Sequence, residues 1–146
     1  MFLKRRGLIA LVLLVIFLLP STFSAAYFRG VRVHIPRIML KSTFYNPAVI
    51  HFKITVYDSG RYIRDVSTKQ WRVKKGAYLF GPQIEVKMPH DWTPVNMSVK
   101  IEVVERGHLY NSVHSSVQRN LIKGASVKDV LDTGKIYMEY KINAHW

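Results

Sequence analysis

The chain has 146 residues with 22 Lys and Arg against nine Asp and Glu, a formal charge of +13, and half of it is apolar. It contains no cysteine, which excludes disulfides, thiolate catalysis, zinc–thiolate and iron–sulfur centres and a lipidated N-terminal Cys. So apolar a composition, rich in aromatics, describes a folded domain and excludes a charged disordered tail.

In chain order, the first element is an export segment. Lys4, Arg5 and Arg6 precede an apolar run that includes Leu8, Leu11, Val12, Leu13, Leu14, Val15, Ile16, Phe17, Leu18 and Leu19, then Pro20 and the small residues of Ser21–Ala26. Charge, apolar core and small residues in that order are what export machinery reads. Ser24 and Ala26 suit a cleavage before Tyr27. The uncharged span 7–28 also suffices for an uncleaved membrane anchor. Pro20 and the outward Arg29 and Arg32 favour cleavage. The Lys-Arg-Arg-Gly7 stretch resembles type IV pilin-like leaders, although no Glu stands near the start of the run. Residues 1–26 are thus a signal peptide or anchor and 27–146 one domain, placed outside the cytoplasm, secreted, periplasmic or on the outer face of a membrane. That domain carries 19 basic and nine acidic residues, a charge of +10.

Next come strands of period two. Val31, Val33 and Ile35 alternate with Arg32 and His34. Ile50, Phe52, Ile54 and Val56 alternate with His51, Lys53, Thr55 and Tyr57. Ile84, Val86 and Met88, then Val95 through Val103, then Ile136, Met138, Tyr140 and Ile142 repeat the pattern. Weaker strands are expected at 62–66, 70–73, 77–80 and 110–117, with a bend at Gly81-Pro82. One short connecting helix is expected over Val127–Leu131, capped by Ser126, with Asp129 reciprocating and Gly134 beyond its end. The expectation is an all-β fold, a single antiparallel β-sandwich of seven to nine strands preceded by the apolar export helix. The long alternating strands, Phe80-Gly-Pro82 and Val99–Val103 resemble a C2-like or immunoglobulin-like sandwich in architecture alone.

No site for a cofactor, metal or catalytic group stands out. Asp58, Asp65, Asp91 and Asp132 are scattered singly among basic residues, unlike a calcium cage. His34, His51 and His114 fall on polar strand faces without metal-ligand spacing. Ser115 and Ser116, beside His114, point to opposite faces, and Glu85, Glu102 and Glu139 read as exposed strand positions. Asn96-Met-Ser98 is a glycosylation sequon. The suggestive set is basic: Arg32, Lys53, Lys87, Lys100, Lys135 and Lys141 on outward strand phases, with Arg61, Arg64, Arg72, Lys74 and Lys75 adding loop charge. Anionic lipid, anionic polymer or an acidic envelope or extracellular protein would suit such a surface. The leading expectation is a non-enzymatic binding or structural component of a cell envelope or extracellular assembly. The alternatives are a homo-oligomeric surface filament that uses the 27–40 strand for donor-strand pairing, and an exported metal or nucleic-acid binder.

Overall fold

The computed structural model describes residues 30–89, 92–106, 111–121 and 126–145; the export segment Leu8–Leu19 and the cleavage region Ser24–Tyr27 lie outside them. Ten strands occupy the described residues: β1 (Gly30–Leu40), β2 (Ala48–Asp58), β3 (Arg61–Ser67), β4 (Trp71–Val73), β5 (Tyr78–Leu79), β6 (Gln83–Lys87), β7 (Met97–Arg106), β8 (Asn111–Leu121), β9 (Ser126–Asp132) and β10 (Ile136–His145). Every ladder is antiparallel. One sheet runs β5-β1-β10-β9 with β6 also on β1, and the other runs β3-β2-β7-β8 with β4 also on β2. Two edge strands are therefore broken in half, β3/β4 along β2 and β5/β6 along β1.

The breaks have local causes. Thr68 bridges the first: its N–H donates to the Phe52 carbonyl at 2.9 Å and its hydroxyl accepts from Phe52 N–H at 3.0 Å. The second falls at Gly81-Pro82, as the sequence suggests. Ile35 N–H reaches the Pro82 carbonyl at 3.0 Å, and the chain there passes so close to β1 that a Cβ on Gly81 would lie 2.7 Å from the Ile35 carbonyl oxygen. Only glycine permits that approach.

The alternating residues fill the space between the sheets. Val31, Val33, Ile35, Ile38 and Leu40 from β1 meet Ile50, Phe52, Ile54 and Val56 from β2. Val99, Ile101 and Val103 from β7 and Ile136, Met138, Tyr140 and Ile142 from β10 complete the core, all essentially without exposure. Between β8 and β9 the layers are stapled: Tyr140 Oη and Arg119 Nη2 both donate to Asp129 Oδ2, at 3.2 and 2.8 Å.

Four expectations are corrected. The helix over Val127–Leu131 is strand β9, because Val127 and Leu131 pair with Ile142 and Met138 and continue the ladder of β10; ladder pairing of β-branched residues outweighs the cap signal. Val95 is not in a strand; it is 87% exposed, since Asp58 accepts from Val95 N–H and Asn96 N–H and holds them in a connection. Lys135 lies in the turn before β10, where its carbonyl accepts from Lys41 N–H and Ser42 N–H. Finally, β1 is an interior strand with β10 on one side and β5 and β6 on the other, so residues 30–40 are spent within their own sheet.

Candidate functional site

Strand directions bring three connections to one pole of the sandwich: 41–47 after β1, 74–77 after β4 and 133–135 before β10. They are tied together by backbone bonds from Gly76 N–H to the Leu40 carbonyl at 2.8 Å and from Lys41 N–H to the Lys135 carbonyl at 2.8 Å. Lys75 N–H adds a bond to Asn46 Oδ1 at 3.2 Å.

Beneath this pole lies a carboxylate that periodicity should have flagged. Glu105 continues the inward phase of Val99, Ile101 and Val103 on β7, and it is fully buried. An apolar run that ends on an inward Glu is the available signal. A buried carboxylate must be partnered, and its partners come from the loop above. Phe44 N–H donates to Oε2 at 3.1 Å and Tyr45 N–H to Oε1 at 3.3 Å.

The third partner is His114, and it arrives by a β-bulge. Val103 pairs with Ser115 but Val104 pairs with Val113, so β8 holds one residue more than β7 at this point. The extra residue turns His114 off the polar face, where simple alternation puts it, into the interior. Its Nε2 sits 2.7 Å from Glu105 Oε2, yet off the line that a ring N–H hydrogen bond needs. The two groups are in close contact without a well-aligned bond. A cleft of about 150 Å³ opens beside them, lined by Ser42, Thr43, Phe44, His114 and Lys135.

Burial holds the His114 pKa below its usual 6.5, and this outweighs the opposing pull of Glu105. Burial, then Arg106 and Lys53, depresses His51 in the same direction. Both imidazoles are thus favoured neutral in the fold. Their contribution to stability is complete above the unfolded pKa near 6.5 and is lost as pH falls below it toward the folded values. The thermal midpoint is expected to drop between pH 7 and pH 5, and His114→Asn to flatten that drop; a midpoint level across this range would refute the assignment.

The clamp presents its loop outward. Phe44 is 72% exposed and Tyr45 44%, with Lys74, Lys75 and Lys135 exposed on the neighbouring connections and Lys41 ion-paired to Asp132. Exposed aromatic rings and exposed lysines on adjoining connections make an amphipathic pole.

The other basic residues divide. Lys53 and Lys100, on the outer face of the β2–β7 sheet, are neutralised by Asp65 at 3.5 Å and Glu102 at 2.9 Å. Arg64, on β3, donates to the Lys87 carbonyl at 2.8 Å and joins the two sheets. Arg61 begins β3 and Arg72 lies in β4, so both are strand residues and not loop charge. Arg32, Lys87 and Lys141 share the outer face of the β1–β10 sheet. The basic set does not form one patch. Among the described residues no three His, Asp or Glu side chains converge, and His34 stands on the opposite sheet from His51 and His114.

Solved structures match this sandwich. Human GIVD cytosolic phospholipase A2, in complex with methyl gamma-linolenyl fluorophosphonate and terbium chloride, superposes with a TM-score of 0.57 at 6% identity over 81% of this chain. CC2D1B, described as coordinating ESCRT-III activity during mitotic reformation of the nuclear envelope, gives 0.55 at 12% identity over 80%. The sandwich is C2-like. That choice sets aside the immunoglobulin-like alternative. The matched part is 17% of the phospholipase and 55% of CC2D1B, so the likeness concerns fold alone. No protein-family model matches the sequence, and no curated protein matches it.

Proposed function

We propose that this chain is an exported, non-enzymatic C2-like binding module whose loop pole docks on an anionic lipid surface of an envelope or extracellular assembly. The observation that carries the reading is the presentation of Phe44: an exposed ring fixed through its own backbone to buried Glu105, on a pole whose neighbouring connections carry exposed Lys74, Lys75 and Lys135. A lysine near an anionic leaflet contributes about 1 kcal/mol, and burying a phenylalanine side chain about 1.5–3 kcal/mol. Together they support weak, reversible docking with a dissociation constant of roughly 0.05–0.5 mM. The apolar run 8–19 and the Ser24–Ala26 motif support export, with the domain either released or held at the outer face of a membrane.

The test is co-sedimentation of residues 27–146, which contain all the described strands and the core they enclose, with vesicles. Binding is expected to acidic phospholipid vesicles at low salt, to weaken steeply as salt rises, and to be absent with neutral phosphatidylcholine. Equal binding to neutral vesicles, or none to acidic ones, would reject the reading.

A further inference from the structure

The outer face of the β1–β10 sheet carries a charge arrangement that the rest of the molecule avoids. Where two fully charged residues face each other across a ladder, their signs oppose: Arg32 and Glu85, Arg37 and Glu139, Lys53 and Glu102, Asp58 and Arg61. Lys141 opposite Lys128 is the exception among the described residues. His34 faces Lys141 from its other side, which completes a row His34–Lys141–Lys128 over three neighbouring strands. Arg32 stands two residues from His34 on the same face. Like charges directly opposite destabilise a sheet, and strands about 4.8 Å apart hold these side chains within reach of one small ligand.

The acids nearby are committed elsewhere. Glu139, diagonal to Lys128, accepts from Arg37 at 2.6 Å and from the Tyr137 hydroxyl at 2.7 Å. Asp129 is taken by Arg119; Glu85 faces Arg32 and offsets that guanidinium, while neither lysine has an acid opposite it. Neither Lys128 nor Lys141 is ion-paired among the described residues.

We propose that His34, Lys141, Lys128 and Arg32 form a binding site for a compact, soluble phosphate-chain anion. Two ammonium groups and the Arg32 guanidinium on one small area suit linked phosphates, and each supplies charge-assisted hydrogen bonds, with the His34 ring as a further polar group beside Lys141. Membrane lipid is the weaker occupant because of position. Lys141 lies five residues along β10 from Ile136 at the loop pole, about 17 Å, and its face runs alongside the strands. A bilayer touching Phe44 does not reach it. The inference goes beyond the docking function; only the choice of a soluble anion over lipid rests on docking through Phe44.

The experiment follows thermal unfolding of the full chain, kept monodisperse in a nonionic detergent, with pyrophosphate titrated against sodium chloride at constant ionic strength. Pyrophosphate is expected to raise the native midpoint, as a ligand specific to the folded state does. Lys128→Gln combined with Lys141→Gln is expected to raise the midpoint without ligand, because the repulsion is gone, and to weaken the pyrophosphate response about tenfold or more. Lys74→Glu with Lys75→Glu at the loop pole should leave that response unchanged. Should the double glutamine variant not fold, Arg32→Gln carries the same comparison. The site is refuted if pyrophosphate does no more than chloride, if the glutamine variant responds like the native chain, or if vesicles bearing a phosphomonoester lipid bind through these residues while pyrophosphate fails to compete.

Discussion

Glu105→Ala is expected to lower the stability of the domain by about 2–4 kcal/mol, the range for removing a buried charged partner from groups that stay behind. The carboxylate joins three groups from two separate segments: Phe44 N–H, Tyr45 N–H and the His114 ring. Truncation leaves both loop amides without their acceptor and removes the group that attracts the bulged imidazole. The core shrinks little, so the loss is polar in origin. Glu105→Gln retains one carbonyl oxygen and should cost less, about 1 kcal/mol. Urea unfolding measures both, and amide exchange at Phe44 and Tyr45 reports the clamp itself. Exchange there should accelerate more than at Phe52 in the core. A stability loss under about 0.5 kcal/mol, the scatter of ordinary surface substitutions, would show that the loop is held by something else.

Reversing Lys74 and Lys75 to Glu is expected to reduce affinity for acidic vesicles by roughly a thousandfold. The change is four units of charge, at about 1 kcal/mol each near an anionic leaflet, and every 1.4 kcal/mol is a factor of ten. Phe44→Ala should cost about tenfold to a hundredfold through lost burial alone, with little dependence on salt. The two variants therefore separate by their salt response. Both positions are exposed, so thermal midpoints should stay near the native value and the loss should be one of binding. If the charge-reversed pole still sediments with acidic vesicles like the native chain, docking occurs elsewhere on the surface.

The core was readable because it obeys period two. Val31, Val33, Phe52, Ile54, Ile84, Val86, Ile101 and Met138 all face inward as their alternation requires. The pole was harder, since it depends on exceptions. His114 reads as a polar-face residue until one extra residue in β8 rotates it, and bulges follow from pairing between distant segments rather than from local pattern. Glu105 was legible in phase but passes unnoticed among strand acids, because its loop partners are about sixty residues away. Lys128 was hidden inside an expected helix. The cap signal at Ser126 is local, whereas the pairing of Val127 with Ile142 is not, and tertiary pairing decides a segment this short. The outward phase of the other lysines was legible, whereas the acids that neutralise Lys53 and Lys100 depend on how the strands pair.

The register of β1 has a consequence for reach. Gly30 pairs with His145, so both ends of the sandwich leave it side by side. Leu40, ten residues along, meets Ile136 at the loop pole, about 34 Å away. The points where the chain enters β1 and leaves β10 therefore lie a full strand length from Phe44. The sandwich is in this respect a rigid spacer between its two poles, as long as β1.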